Sequence, residues 1–397
     1  MKFKYKDVSE NVMMVILAFI SAFPALSTDL YIPALPQMVT IFETSPARVN
    51  LTLSLFFVFF GAGILFWGPL SDKYGRKPIL YCGLLIYIVS SLFCALADSY
   101  LQLVIARIFQ AFGGGAATAV ATAMVKDLYT GEKRAHVLAV VMAMVIIAPV
   151  VAPILGALLL KIASWRAIFY TLAGFGLVSF LIVLPLEETL EHKYHGSAFH
   201  SMGRLFVVMK NPGFSWLLVN FSMVVMPLMA FIAASSYIYI QGFGLSEQAF
   251  SLFFSANALC AMSGPILYIR LSRWLHPNTI ISACFILLTF SGVMVSFLGT
   301  FSPVLFALTM MPATLSITAM RAPSANLMLD QQDQDTGSAS SLINFFAMIM
   351  GSIGMILISM KSDHLVLSIG MMEVAIGSLG FLSWMSVKNS AIILQSR

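Results

Sequence analysis

Three ionisable residues stand inside long apolar stretches of the chain: Asp29, Arg107 and Glu373. A charge at the centre of a membrane helix costs about 2.5–3.5 kcal/mol on insertion scales, so such a residue usually faces a cavity or a partner. A carboxyl group removed from water can bind and release a proton, and a neighbouring arginine biases that equilibrium. The chemistry predicted for these positions is therefore reversible protonation inside a membrane.

Asp29 and Arg107 are predicted to lie at similar depths. Each stands about six or seven residues from the outer end of its apolar stretch, which is roughly 10 Å at 1.5 Å per residue. We expect an electrostatic pair in which Asp29 is the proton-coupling carboxylate and Arg107 tunes its protonation. The alternative is a static salt bridge that only holds the first half of the chain together.

Glu373 lies about eight residues from the outer end of the last apolar stretch, roughly 12 Å deep. The first interpretation is a protonated carboxyl group that is hydrogen-bonded to a neighbouring helix. The second is a further proton-binding acid.

The composition identifies the class of protein that must position these residues. Hydrophobic residues make up 59% of the 397 and charged residues 10%, against roughly 45–50% and about 25% in soluble domains. The mean hydropathy is +0.92. These values exclude a soluble enzyme, a disordered protein and a secreted disulfide scaffold. The net charge of +5 is spread over short basic groups between apolar runs, so it does not indicate nucleic-acid binding.

A membrane-spanning helix needs about 20 mostly apolar residues, and the apolar runs predict twelve such helices. They cover residues 11–35, 49–70, 79–97, 101–125, 136–160, 166–186, 213–240, 248–269, 278–299, 302–322, 337–360 and 365–387. The predicted fold is therefore an all-α integral membrane protein. The first run carries Asp29 and two prolines, with a third, Pro36, directly after it, and is expected to be a retained span rather than a signal peptide.

The basic residues predict the orientation of these helices. With an internal N-terminus, sixteen lysines and arginines fall on the inner side and four on the outer side. This bias follows the positive-inside rule, so both termini are expected in the cytoplasm.

A polar segment at residues 187–212 divides the twelve helices into six and six. We expect an N-terminal six-helix bundle at residues 1–186, a cytoplasmic linker at 187–212 and a C-terminal six-helix bundle at 213–397. The histidines of the linker, His192, His195 and His200, could bind a metal beside its glutamates, but a solvated linker is the favoured interpretation. The four cysteines fall within predicted spans and are expected to pack there without forming disulfides or binding metal.

The turn after the second predicted helix carries the first motif. Its sequence, Gly68-Pro-Leu-Ser-Asp72-Lys-Tyr-Gly75-Arg76-Lys77, resembles the G-x-L-x-D-R-x-G-R-K signature of the major facilitator superfamily. The resemblance implies two pseudo-symmetric six-helix bundles that transport by alternating access. It also implies a cytoplasmic gating motif to which Gly68, Asp72, Gly75, Arg76, Lys77 and Asp127 belong, with Asp72 as a latch.

Two further motifs resemble those of the same superfamily. Leu103-x-x-x-Arg107-x-x-Gln110-Ala111-x-Gly113 is similar to its intramembrane arginine motif. Ala148-Pro149-Val-Val-Ala152-Pro153-Ile-Leu-Gly156 is similar to its antiporter motif, in which small residues and prolines let the fifth helix pack closely and bend. The residues carried over to this antiporter motif are Pro149, Pro153 and Gly156.

One branch of the superfamily fits best. Thr28-Asp29-Leu-Tyr31-Ile-Pro33-Ala34-Leu-Pro36 resembles the T-D-M-Y-L-P-A-x-P of the bicyclomycin/chloramphenicol-resistance (Bcr/CflA) drug:proton antiporters. The resemblance implies export of hydrophobic or amphipathic drug-like molecules across a bacterial inner membrane. It implies a monomeric carrier, not an enzyme, that takes energy from the proton gradient and needs no cofactor or nucleic acid. The alternative is export of a siderophore or another endogenous metabolite.

Polar and aromatic residues in the predicted cavity helices are candidate substrate contacts. They are Tyr31, Gln110, Asn220, Tyr237, Asn257 and Asn344. The phenylalanine-rich stretch that includes Phe56 and Phe60 is expected to face lipid rather than to form a drug pocket.

Overall fold

The computed structural model describes residues 10–190, 198–332, 336–360 and 364–388. Within these ranges the chain is helical and contains no β-strand, which confirms the predicted all-α class. Its contacts divide it into two compact units, Met1–Met202 and Gly203–Arg397. The boundary between the units lies inside the predicted linker.

The first unit is built on eight helices and one 3₁₀ turn. They are α1 (Glu10–Ser21), α2 (Phe23–Asp29), the 3₁₀ turn Ile32–Ala34, α3 (Leu35–Ile41), α4 (Pro46–Tyr74), α5 (Arg76–Ala95), α6 (Tyr100–Leu128), α7 (Gly131–Ile162) and α8 (Trp165–Val183). Helix α6 packs against both α4 and α5, and α8 packs against α5. Helix α7 packs against α1 and α2.

The second unit repeats a bundle of long helices. They are α10 (Pro212–Met223), α11 (Val225–Ser236) with the π-helical turn Tyr237–Gly242, α12 (Glu247–Leu271), α13 (Pro277–Leu298), α14 (Pro303–Leu329), α15 (Thr336–Ser359) and α16 (Leu365–Val387). Helix α13 packs against α14 and α16, and α11 packs against α15.

Ten helices of the described chain are long and apolar enough to cross a membrane. The first predicted span is an eleventh, bent by 42° between Asn11–Ser21 and Phe23–Ile41. The fifth predicted span corresponds to α7, of which Ile147–Ile162 is a shorter apolar helix.

Prolines explain where the spans break. A proline cannot donate to the carbonyl four residues earlier. Pro33 therefore leaves the carbonyl of Asp29 without its helical partner, and α2 ends at Asp29. Pro227 does the same to Met223, where α10 ends.

Part of the predicted linker is helical. Residues Ala198–Met209 form a helix, α9, because apolar residues recur there at helical spacing. His192 and His195 lie outside the described residues, as does the side chain of His200.

Candidate functional site

Asp29 is the last residue of α2 and is buried, with 6% of its surface exposed. Its carboxylate accepts a hydrogen bond of 3.0 Å from the hydroxyl of Thr28. The break imposed by Pro33 therefore places an acid at a helix end inside the first unit.

Arg107 lies in α6 and is completely buried. Its Nη1 donates to the carbonyl oxygen of Ser27 at 2.9 Å and to Oε1 of Gln110 at 2.7 Å. The predicted Asp29–Arg107 ion pair is absent from this conformation. The arginine is held beside Ser27, and residues two positions apart on a helix do not share a face.

A chain of polar groups extends from this arginine through the first unit. Gln110 Nε2 donates to Ser91 Oγ at 2.7 Å. Ser91 Oγ donates to the carbonyl oxygen of Tyr87 at 2.7 Å, and the hydroxyls of Tyr87 and Ser27 are 2.6 Å apart. This network joins α2, α5 and α6 and holds the arginine through Nη1.

Tyr31 and Gln110, both predicted substrate contacts, belong to the surroundings of Arg107 and are completely buried. Thr52 Oγ1 donates to the Tyr31 hydroxyl at 3.4 Å. Neither side chain is exposed in this conformation, so their role as substrate contacts stays a prediction.

The four other predicted substrate contacts lie in the second unit. Asn220, Tyr237 and Asn257 are buried, and the Thr314 hydroxyl donates to Oδ1 of Asn257 at 2.9 Å. Asn344 is exposed and accepts a hydrogen bond of 3.3 Å from Arg321. They do not form one hydrogen-bonded cluster among the described residues.

Glu373 is completely buried in α16, and neither carboxyl oxygen has a hydrogen-bond partner among the described residues. It packs against α13 at Gly292, where a side chain would overlap it. The neighbouring hydroxyl of Ser291 donates to the Thr309 carbonyl at 2.6 Å and accepts from the Ala313 amide at 3.1 Å. This surrounding is a tight helix junction, where a neutral carboxyl group is favoured over a charged one. The hydrogen bond to a neighbouring helix that the first interpretation includes is absent among the described residues, and the role of Glu373 stays a prediction.

Phe56 was expected to face lipid, and this prediction is wrong. Its side chain is completely buried and lies against Arg107. Apolar side chains recur at the same helical spacing whether they face lipid or the interior, so periodicity could not separate the two.

The gating motif forms a compact charged cluster around Arg76, the first residue of α5. Its Nε donates to Oδ2 of Asp127 at 2.8 Å, and its Nη1 donates to Oδ1 of Asp72 at 2.5 Å and to Ser71 Oγ at 2.7 Å. The predicted residues Asp72, Arg76 and Asp127 are therefore brought together by the ends of α4, α5 and α6.

Glu188 is a member of this cluster that sequence reasoning assigned only to the linker. Its carboxylate accepts from the amides of Arg76 at 2.8 Å and Lys77 at 3.1 Å, the first two residues of α5. It also accepts from the amides of Thr189 at 3.0 Å and Leu190 at 3.1 Å. A carboxylate at a helix N-terminus satisfies amides that have no partner within the helix and interacts favourably with the helix dipole.

Gly75 makes this capping contact possible. Its φ is +110°, a region that disfavours other residues, and a side chain there would meet the Glu188 carboxylate. On the other side of the turn, Lys77 Nζ donates to the carbonyl oxygens of Leu184 and Leu186 beyond the end of α8. The turn is thus hydrogen-bonded to the segment that follows α8, through the backbone amides of Arg76 and Lys77 and through the side chain of Lys77.

The predicted antiporter motif lies on α7, which continues through Pro149 and Pro153. A methyl group at Gly156 would overlap the carbonyl oxygen of Leu30. The backbone of α7 at Gly156 therefore contacts the backbone of Leu30, the residue that follows Asp29. Gly68, at the start of the gating motif, has open space around it.

The described residues contain no group of three or more histidine, cysteine or acidic side chains that could hold a metal ion. The arrangement offers instead a buried acid, a buried cation and a charged turn.

Comparisons with known proteins agree with this arrangement. The family model described as Major Facilitator Superfamily matches residues 17–355. The "Uncharacterized MFS-type transporter YdgK" of Bacillus subtilis is 29% identical over 92% of this chain and 93% of its own. The "Bicyclomycin resistance protein homolog" of Haemophilus influenzae is 26% identical over 89% of this chain and 91% of its own.

Among solved structures, a bacterial homologue of the human lysosomal transporter Spinster has the same fold. The TM-score is 0.77 at 15% identity, and 98% of each chain is covered. The similarity to bicyclomycin-resistance proteins expected from the first-span motif is confirmed.

The close contact at Gly156 predicts that a larger side chain at this position destabilises the protein. Gly156→Val should lower the thermal unfolding midpoint in detergent, since overpacking costs about 1–3 kcal/mol. Gly174→Val is the matched control, because nothing lies within 4 Å of a side chain added there. Equal midpoints for the two variants would contradict the close contact.

The Glu188 contact predicts a role in stability for a residue outside the sequence motif. Glu188→Gln should destabilise the protein by about 2 kcal/mol, because it weakens charge-assisted hydrogen bonds to the start of α5. The measurement is thermal unfolding, with Glu187→Gln as the control that removes the same charge one residue earlier. An unchanged midpoint for Glu188→Gln would show that the cap contributes nothing.

The surroundings of Glu373 predict that its charge is not needed. Glu373→Gln should retain wild-type transport and unfolding midpoint, since the amide keeps the shape of a neutral carboxyl group. Transport by reconstituted protein under a pH gradient provides the check. A loss of proton-driven transport with an unchanged midpoint would instead assign Glu373 to proton binding.

Proposed function

Because the chain belongs to the Major Facilitator Superfamily, we propose that it exports hydrophobic or amphipathic drug-like molecules in exchange for protons. The chain is a multi-pass membrane protein, and we place it in a bacterial inner membrane with both termini in the cytoplasm. Its relatives include a bicyclomycin resistance protein homologue, which supports drug-like substrates. The proposed carrier is a monomer that works by alternating access.

The observation that carries this proposal is the position of Asp29. It is a buried acid at the proline-imposed end of α2, one residue before the backbone contact with α7. An acid at a helix break is surrounded by backbone that can rearrange at lower cost than an intact helix. Proton binding at Asp29 can therefore be coupled to movement of α2 against α7.

Arg107 supplies the opposing charge. When Asp29 is protonated, the arginine has no carboxylate to attract it and stays beside Ser27 and Gln110. When Asp29 loses its proton, the carboxylate attracts the same guanidinium group. The two protonation states thus favour different arrangements of α2 and α6.

The proton gradient can supply the energy for export. Each proton that enters down 100 mV releases about 2.3 kcal/mol. At about 1.4 kcal/mol per tenfold change, this sustains a roughly fiftyfold concentration of substrate. No cofactor is needed in this scheme.

The cluster of Asp72, Arg76, Asp127 and Glu188 is proposed to act in gating. The ion pairs of Arg76 and the cap of Glu188 hold the ends of α4, α5 and α6 and the segment after α8 together. Such a cluster stabilises one arrangement of the predicted cytoplasmic face. That arrangement is lost when the contacts of Arg76 and Glu188 break together.

The function is tested with purified protein in proteoliposomes under an imposed pH gradient. The substrates are a panel containing an amphipathic cation, a neutral amphipathic antibiotic and an iron-chelating siderophore. We expect gradient-driven transport of one or more drug-like compounds, with proton movement that depends on substrate. Proton flow independent of every compound would contradict antiport, and selective siderophore transport would replace the drug-like substrate class.

Asp29→Asn should reduce gradient-driven transport at least tenfold, because an amide cannot bind and release the coupling proton. Asp98→Asn serves as the control, since Asp98 is an exposed acid that pairs with Arg166 at 3.0 Å. Full proton-driven transport by Asp29→Asn would remove the coupling role of Asp29.

A further inference from the structure

Arg107 carries a buried charge without an ion-pair partner. Among the described residues, the guanidinium group donates two hydrogen bonds, both from Nη1, to the Ser27 carbonyl oxygen and to Gln110 Oε1. Nε and Nη2 have no hydrogen-bond partner among the described residues. Burial of a charge is costly unless the surroundings stabilise it, so another interaction must hold the guanidinium group.

Three aromatic rings provide that interaction. The Cζ atom of Arg107 lies 4.3 Å from the ring centroid of Phe56, 5.2 Å from that of Tyr31 and 5.9 Å from that of Phe169. We call Tyr31, Phe56 and Phe169 the aromatic cage. A guanidinium group within about 6 Å of a ring centroid is attracted by the negative face of the ring, most strongly where water is excluded.

Phe56 is the central member of the aromatic cage. Its centroid is nearest to the guanidinium group, and its own ring is held in place by neighbours on α4. It stacks on Phe60 with centroids 6.0 Å apart and an interplanar angle of 10°. A buried and supported ring of this kind gives the arginine one preferred position.

We propose that Phe56 is a positioning residue for proton coupling, which holds Arg107 in the aromatic cage and away from Asp29. The inference rests on the proposed antiport function. The aromatic cage and the deprotonated Asp29 carboxylate compete for the same guanidinium group. Weakening the aromatic cage therefore favours the Asp29–Arg107 pair, and protonation of Asp29 then needs a higher proton concentration.

The surroundings of both groups contain few other ionisable side chains. Those beside Arg107 are Tyr31, Tyr87 and Cys94, which are two phenols and a thiol rather than carboxylic acids. Asp29 has the Thr28 hydroxyl beside it. The ionisable residues of α7, which packs against α2, lie at its two ends and are Glu132, Lys133, Arg134, His136 and Lys161.

The first test measures substrate transport in proteoliposomes as a function of pH. Phe56→Leu should move the pH of half-maximal transport down by about one unit, the shift expected from loss of one desolvated ring contact. Phe56→Tyr should keep the wild-type midpoint because it keeps the ring face. Phe231→Leu is the matched control, since it removes a buried ring whose ring partners are Phe254 and Phe306.

An unchanged pH midpoint in Phe56→Leu would overturn the proposal. Equal shifts in Phe56→Leu and Phe231→Leu would also overturn it, because they would reflect lost packing alone. A Phe56→Tyr midpoint that follows Phe56→Leu would contradict the role of the ring face.

A second test does not depend on transport. Phe56→Leu is combined with Arg107→Met, and the four unfolding midpoints form a double-mutant cycle. We expect Phe56→Leu to lower the midpoint by about 2 °C more when Arg107 is present than when it is replaced. If the effects of Phe56→Leu and Arg107→Met on the unfolding midpoint are additive, the proposed interaction between Phe56 and Arg107 is wrong.

The two tests separate the inference from the proposed function. Absence of proton-driven transport in the wild-type protein would remove the antiport function, while coupling in the unfolding cycle would still support the aromatic cage. Transport with normal pH dependence in Phe56→Leu would remove the inference and leave antiport intact.

Discussion

Pro33 has no amide hydrogen to donate to the carbonyl oxygen of Asp29. Helix α2 therefore ends at Asp29, which places the acid of the first span at a helix end. In hydrocarbon each backbone carbonyl needs a partner inside the protein, so where a helix ends before a proline, neighbouring elements must cover the break. Helices α6 and α7 cover the end of α2. Asp29 and the Ser27 carbonyl bonded by Arg107 lie in the last turn of α2, and the Leu30 carbonyl approached by Gly156 follows directly after it.

The first unit stabilises two buried arginines in different ways. Arg76 lies at a helix junction and is paired with Asp72 and Asp127. Arg107 lies deep in the bundle against aromatic rings and carbonyl oxygens. An ion pair fixes an arginine strongly, because removal of either partner leaves an uncompensated charge. Rings and dipoles hold the cation without neutralising it, so Arg107 remains able to respond to a new negative charge.

Much of this arrangement could be predicted from the sequence, since it depends on local patterns. Apolar runs locate the helices, and the motif around Gly75 locates the turn that joins Asp72 to Arg76, only four residues apart. Glu188 could not be predicted in the same way, because it caps α5 from 112 positions away. The ring of Phe56 and the carbonyl of Ser27 as partners of Arg107 also depend on tertiary packing. The Asp29–Arg107 pair was expected from equal depth alone, and depth does not determine which face of a helix a side chain occupies.

The approach of α7 to the end of α2 brings the antiporter-type motif close to Asp29, the proposed proton-binding acid. Because Gly156 has no side chain, the backbone of α7 lies directly against the carbonyl of Leu30. A contact between two backbones has no flexible side chain to absorb a displacement. Pro149 and Pro153 leave carbonyls of α7 without helical partners, which lowers the cost of bending that helix. A change in the bend of α7 must therefore displace Leu30 and, with it, the carboxyl group of the preceding residue, Asp29.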